Sequence, residues 1–167
     1  KRNSGQISSS EDYALAFDYT IPAPDAPSTL AATTQAHSIV NLTWTDNSAD
    51  ELNFELQRSI LSGRIYNTIA TLPANTTSYT DTAPLEGTTY YYRVKATNAN
   101  GDSFYTNVAS ITTFSKLMNW RQDNFASSGN TGASANNADP DKDGIDNLTE
   151  YALGLDPNSA AGANGAI

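Results

Sequence analysis

The chain has 167 residues, enough for one or two small domains, and its lack of cysteine excludes disulfide bridges and thiol chemistry. Its 18 acidic and 9 basic residues give a net charge of −9, which argues against a nucleic acid or an anionic membrane as a partner. No apolar run approaches the length of a membrane-spanning helix. The abundance of Ser, Thr, Asn, Gly and Tyr is typical of an extracellular or cell-surface β protein.

The first part of the chain, residues 1–20, is predicted to contain one β-strand. Apolar residues alternate there with smaller or polar ones, which is the period of a strand: Tyr13, Leu15, Phe17 and Tyr19. Residues 21–27 contain three prolines and are predicted to form a stiff, extended linker.

Residues 28–113 consist of short segments of alternating apolar and polar residues, separated by turn residues. Seven such strands predict an antiparallel sandwich of the immunoglobulin type. One strand is expected to include Ile65, and the last is expected to include Phe104. The predicted core surrounds Trp44 and consists of apolar positions on three strands: Val40, Leu42, Phe54, Leu56, Tyr90, Tyr92 and Val94.

Three features of this region occur in one specific combination. They are Ala26-Pro27-Ser28 at the start, Trp44 in the second strand, and Leu-Glu-Gly-Thr-Thr-Tyr-Tyr-Tyr-Arg-Val at residues 85–94. Together they resemble a fibronectin type III domain over residues 26–113. The resemblance implies that Tyr90 forms a tyrosine corner, which ties a loop to the sixth strand. It implies no single activity, because such modules serve as spacers, adhesion units and enzyme appendages.

The segment 114–157 has the pattern of a helix, a loop and a second helix. The first helix is predicted at residues 115–125, and the second at residues 146–153, where Gly154 stops it. The run between them, residues 126–138, is expected to be flexible. Three residues of the second helix are expected to face the first: Leu148, Tyr151 and Ala152.

Residues 139–150 have the ligand spacing of a calcium-binding loop. Carboxylates occupy the first, third, fifth and twelfth positions, and a glycine allows the sharp turn at the sixth. A hard cation such as Ca²⁺ needs about six to eight oxygen ligands, whereas Mg²⁺ demands a tighter octahedron. The predicted Ca²⁺ ligands are Asp139, Asp141, Asp143, the backbone carbonyl of Ile145, Asn147 (directly or through water) and Glu150.

The whole tail also resembles known calcium-binding sequences. Trp-Arg-x-x-x-Phe at residues 120–125 precedes Asp-x-Asp-x-Asp-Gly-x-x-Asn-Leu-x-Glu-Tyr-Ala-Leu-Gly at residues 139–154. This arrangement resembles a tail of secreted bacterial proteins, and it is similar to the calcium-binding repeats of dockerins and thrombospondin type 3 arrays. A second acidic loop begins at Asp156 but gains no further carboxylates, so residues 158–167 are predicted to be a flexible end.

Candidate catalytic residues are few, and the chain is predicted not to be an enzyme. His37 is the only histidine, so a Ser-His-Asp triad or a zinc cluster has no support, and His37 is interpreted as a loop residue. The adjacent Asp50 and Glu51 are interpreted as solvated acids in a turn between strands.

The leading hypothesis is a non-catalytic extracellular module with a structural or adhesive role and a calcium-stabilised tail. The segment 11–20 resembles the closing strand of another β-sandwich, of a type appended to secreted subtilisin-like proteases. That strand either inserts into a neighbouring copy, which gives a homopolymer, or belongs to the rest of a larger secreted protein. The alternative function is therefore a C-terminal accessory region of a secreted bacterial hydrolase, either a subtilisin-like protease or a polysaccharide-degrading enzyme.

Overall fold

The structure, a computed structural model, describes residues 22–36 and 38–160. The predicted N-terminal strand and His37 lie outside the described residues. The described elements are β1 (Ser28–Ala36), β2 (Ile39–Thr45), β3 (Asn53–Ser59), β4 (Asn67–Pro73), β5 (Ser78–Asp81), β6 (Thr89–Asn98), β7 (Gly101–Asp102), β8 (Ala109–Thr112), α1 (Lys116–Phe125), a short 3-10 helix (Gly132–Ser134) and α2 (Asn147–Leu153).

The strands form two antiparallel sheets that face each other, which confirms the predicted mainly-β sandwich. One sheet has the order β1-β2-β5, and the other has the order β4-β3-β6, with β7 and β8 both paired to β6. The pairing of β3 with β6 is continuous from Asn53 opposite Thr97 to Ser59 opposite Tyr91.

The core lies between the sheets, where the sequence pattern placed it. The β2 residues alternate between exposed and buried, and those of β6 alternate mainly between half-buried and buried, because successive side chains of a strand point to opposite faces. Trp44 is 5% exposed, and its ring centroid lies 6.0 Å from that of Phe54. The other predicted core residues are all buried: Val40, Leu42, Leu56, Tyr90, Tyr92 and Val94.

The last strand is interrupted, contrary to the prediction that it includes Phe104. Residues 103–108 belong to no strand, and Phe104 is 88% exposed. Side chains replace the strand there: the Val94 and Ala96 N–H groups donate to the hydroxyls of Thr106 (3.1 Å) and Ser103 (2.8 Å). The N–H groups of β6 are therefore satisfied without a regular neighbouring strand.

The fourth strand begins later than predicted. Ile65 was expected within it, but its φ of 34° is incompatible with extended backbone, and β4 begins at Asn67. The side chain of Ile65 is 77% exposed as a result.

The tyrosine corner is present. The N–H of Leu85 donates to Tyr90 Oη at 2.7 Å, and the Leu85 carbonyl accepts from the Thr113 hydroxyl at 2.6 Å. The N–H of Gly87 donates to the Phe114 carbonyl at 3.1 Å. These bonds hold the chain where it leaves β8, and α1 begins four residues after the end of that strand, with Ser115 as its N-cap.

The two helices meet through aromatic side chains. The Trp120 ring centroid lies 5.8 Å from that of Phe125 and 5.6 Å from that of Tyr151. Tyr151 therefore faces α1 as predicted, but Leu148 is 43% exposed and Ala152 is also exposed. The prediction failed for these two because α2 buries Asn147 and Glu150 rather than an apolar stripe.

Candidate metal centre

The acidic loop brings three of its carboxylates together. Asp139, Asp141 and Asp143 each place an oxygen within 4.8 Å of the oxygens of the other two. No ion pair connects the loop acids to a Lys or Arg within residues 22–36 and 38–160. Like charges at this separation repel one another, and a cation between them would relieve that repulsion.

Backbone N–H groups of the loop orient these carboxylates. Gly144 N donates to Asp139 Oδ2 at 3.0 Å, and Asp143 N donates to Asp141 Oδ1 at 3.2 Å. Ile145 N donates to Asp143 Oδ1 at 2.8 Å. In Asp139 and Asp141 the other oxygen is buried without a hydrogen-bond partner.

The turn within the loop depends on left-handed backbone at two positions. Lys142 has a φ of 63°, and Gly144 has a φ of 90°. Glycine adopts such a conformation without steric cost, as expected for the sixth position of a calcium loop. The turn allows Gly144 to reach back to Asp139.

Asn147 is held by the segment that precedes the loop. It is 1% exposed, and its amide nitrogen Nδ2 donates to the carbonyls of Ala133 and Ala135, both at 2.7 Å. Its own N–H donates to the Ala138 carbonyl at 2.9 Å. These bonds fix which end of the amide is the oxygen, and that oxygen is buried without a partner.

Glu150 occupies the first turn of α2, which begins after the N-cap Asp146. Its side chain is 1% exposed, and neither carboxylate oxygen has a hydrogen-bond partner. Burial, and after it the charges of Asp141, Asp143 and Asp139, together raise the pKa of Glu150 to about 7.

These observations fit a bound calcium ion. Five buried oxygens of the residues in and beside the loop lack partners: Asp139 Oδ1, Asp141 Oδ2, Asn147 Oδ1, and Oε1 and Oε2 of Glu150. A buried polar atom without a partner costs about 1–3 kcal/mol, and more when it is charged, so such a group is rare without a ligand. With Asp143 and the Ile145 carbonyl added, the donor set reaches the number and kind that Ca²⁺ takes.

The run expected to be flexible, residues 126–138, supports the site through a network that sequence reasoning missed. Ser134 is 2% exposed, and the Asn136 carbonyl accepts from Leu148 N at 3.0 Å. Arg121 of α1 is buried, and its guanidinium donates to Asn136 Oδ1. The one available signal was the Trp-Arg pair of the tail motif, which predicted where Arg121 lies but not what it contacts.

Of the acidic pair outside the loop, Asp50 is exposed as predicted, but Glu51 is not. Glu51 was interpreted as solvated, but it is 6% exposed and accepts from Asn75 N at 2.9 Å. Asn75 has a φ of 63°, so Glu51 braces a left-handed turn. Asp50 accepts from the Ser48 hydroxyl at 2.8 Å within its own turn.

Comparison with known protein families identifies the family of the sandwich. Residues 25–112 match the family model described as "Fibronectin type III domain", which is more than half of the chain. The chain belongs to the fibronectin type III domain family. The predicted family is thus confirmed for the sandwich, whereas the tail predicted to bind calcium lies beyond the matched residues.

Relatives of this fibronectin type III chain include part of a bacterial enzyme. An amylopullulanase from Thermoanaerobacterium saccharolyticum is 34% identical over 116 residues, which cover 65% of this chain and 9% of the enzyme. An Fn3-like protein from Clostridium thermocellum is 34% identical, with a TM-score of 0.48, over 56% of this chain and 96% of that one. The structure of titin kinase and its flanking domains has a TM-score of 0.50 at 24% identity, over 62% and 19% of the two chains.

Proposed function

We propose that this chain is a non-catalytic extracellular module in which a fibronectin type III sandwich carries a calcium-stabilised helical tail. The observation that supports it best is the set of five buried oxygens without partners around one acidic loop. Calcium neutralises the loop acids and joins the loop to the first turn of α2 through Glu150. The hydrogen bonds around the tyrosine corner hold the chain just before α1, so a rigid tail would also have a defined connection to the sandwich.

Calcium binding is tested by titration calorimetry on the full chain. We expect about one site, with a Kd on the order of 10⁻⁴–10⁻³ M, as is usual for extracellular modules. The double substitution Asp141→Ala with Glu150→Ala should abolish binding. Asp123→Ala removes an exposed acid of α1 outside the loop and should leave binding unchanged. Unaltered binding in the double variant would exclude this site.

A second candidate function is an accessory region of a secreted hydrolase. It is favoured by the 34% identity with a stretch of amylopullulanase, of which the chain spans only 9%. In that case the module holds an enzyme close to an α-glucan such as pullulan. Affinity electrophoresis of the full chain in gels containing pullulan or amylopectin tests it: retarded migration supports this role, and unchanged migration favours a purely structural one.

The proposal also includes self-assembly through residues 11–20. The alternating strand predicted there needs a sheet to pair with, and an unpaired apolar strand promotes aggregation. Neither α-helix in the described part of the chain is long and apolar enough to cross a bilayer.

A further inference from the structure

An apolar groove of about 450 Å³ lies at the edge of the sandwich, between β4 of one sheet and the end of β5 of the other. Ile69 of β4 lines one side, and Ala83, which follows β5, lines the other. Four large apolar side chains around it are at least half exposed: Ile60 (64%), Leu61 (50%), Ile65 (77%) and Leu85 (70%). Such a concentration of exposed apolar surface is typical of an interaction site.

The groove lies between two strand edges. In residues 22–36 and 38–160, β4 pairs only with β3, and β5 pairs only with β2. Each strand therefore has an outer row of N–H and C=O groups without a ladder partner, which is a template for an added strand. An added strand needs apolar side chains on one of its faces to cover the groove.

We propose that this groove accepts residues 13–19 of a second copy of the chain as an added β-strand. This inference rests on the self-assembly included in the proposed function, and it identifies the receiving surface. In an extended strand, Tyr13, Leu15, Phe17 and Tyr19 share one face, because the side-chain period is two. That face matches the apolar groove, while the strand backbone pairs with the edge of β4.

A strand of residues 13–19 that fills the whole groove must come from a second copy, because the backbone of its last residue cannot reach the groove of its own chain. Ala23 Cβ lies 3.7 Å from where a Cβ on Gly101 would stand, and Gly101 is in β7, three strands away from β4. That lateral distance is about 14 Å. Ile69 is also displaced along the sheet from Gly101. The next residue, Ala70, lies level with Val94, because both pair with Leu56 of β3. Val94 is four residues from Asn98, which pairs with Gly101.

This axial distance is about 13 Å, so the near end of the groove is about 19 Å from Ala23. Tyr19 is only four residues from Ala23, and four extended residues span at most about 14 Å. The backbone of Tyr19 therefore cannot lie in the groove of its own chain, as the docked strand requires. A strand that starts at one end of a sandwich and docks near the other end of the next copy produces an open-ended, head-to-tail assembly.

The charges on the two surfaces are complementary. The segment 11–20 carries three acids (Glu11, Asp12 and Asp18) and no base. The exposed Arg64 immediately precedes Ile65 at the rim of the groove, whereas Arg58, which also lines the groove, is already paired with Asp81. Opposite charges at the rim favour correct docking and would steer the strand of a second copy toward this end of the sandwich.

Light scattering after size-exclusion chromatography on the full chain tests the proposal. The wild-type chain should form assemblies of several copies. Phe17→Asp, which damages the donor strand, and Ile65→Asp, which damages the groove, should each leave only monomers. Phe104→Asp is the matched control: its side chain is 88% exposed but does not line the groove, and it should assemble like the wild type.

Mixing the two substituted chains is the decisive experiment. Phe17→Asp keeps an intact groove and Ile65→Asp keeps an intact donor, so the mixture should stop at a one-to-one dimer. The proposal is overturned if the wild-type chain stays monomeric, if Ile65→Asp assembles normally, or if the mixture forms no dimer although circular dichroism shows both variants folded. Calorimetry with Ca²⁺ on the monomeric Phe17→Asp chain tests the calcium site separately, because that site lies outside the groove.

Discussion

Asn147 and Glu150 lie three residues apart at the start of α2, and each is 1% exposed with side-chain oxygens that have no hydrogen-bond partner. Side chains three residues apart share one face of a helix. The first turn of α2 therefore presents three partnerless oxygens on the face that would otherwise carry apolar residues. A helix of seven residues with such a face lacks the burial of apolar side chains that stabilises most short helices. Whether a bound ligand stabilises the helix instead can be tested.

Calcium should stabilise the tail by an amount set by its affinity. For a Kd on the order of 10⁻³ M, 10 mM Ca²⁺ contributes about 1.4 kcal/mol. Hydrogen exchange of residues 116–155 should slow by about tenfold when Ca²⁺ replaces chelator, while exchange in β3 and β6 stays the same. Equal exchange of the tail in both conditions would contradict a stabilising role of calcium.

In chelator, the tail should lose stability as pH rises from about 4.5 to 7. The folded-state pKa of Glu150 is raised to about 7 from an ordinary value of 4.5, so the folded tail holds a proton in this window that the unfolded tail releases. Stability is therefore highest below the unfolded pKa and falls as the folded carboxyl ionises. The hydrogen-exchange rates of α2 at pH 5 and pH 7, corrected for intrinsic rates, measure this, and Glu150→Gln should flatten the dependence.

Asn147→Asp should destabilise the calcium-free tail although it retains an oxygen ligand. The aspartate cannot donate to the Ala133 and Ala135 carbonyls, and it adds a charge near three other acids. We expect a loss of about 1–3 kcal/mol. The control Asn137→Asp changes an exposed asparagine in the preceding segment and should have little effect. Similar tail exchange for the two variants would show that Asn147 is not held through its amide.

Trp44→Ala should cost about 3–5 kcal/mol, because it removes the ring that packs against Phe54 in the centre of the core. Many domains of this size would be unfolded by such a loss. Urea denaturation followed by circular dichroism measures it. A cooperative unfolding transition that loses less than about 1 kcal/mol would mean that the ring is not central to the core.

Tyr92→Phe should cost about 1.5–3 kcal/mol. The buried hydroxyl donates to Asp81 Oδ2 at 3.0 Å, and burial together with the charge of Asp81 raises the pKa of Tyr92. Arg58 donates to the same oxygen at 2.7 Å, so Oδ2 of Asp81 keeps one partner in the variant. Tyr91→Phe, on the outer face of the same strand, provides the comparison and should change the free energy of unfolding little.

Several features could be predicted from residues close together in the sequence. Alternation in β2 and β6 identified the buried positions, since a strand's period assigns each side chain to a face. The end of α2 before Gly154 was predicted, and its start was predicted one residue early, at Asp146, which is the N-cap, because the residues that begin and end a helix meet local requirements. The spacing of the acidic loop likewise identified the carboxylates that the structure brings within 4.8 Å of one another.

Other features depended on contacts between distant residues. The carbonyls of Ala133 and Ala135 hold Asn147, yet every residue has a carbonyl, so no sequence signal distinguishes these two. Glu51 is buried because Asn75, 24 residues away, donates to it. The hydroxyls that replace the last strand and the groove between β4 and β5 likewise exist only once the strands have paired. A local pattern determines which face a side chain takes, but only the folded chain determines which partners meet there.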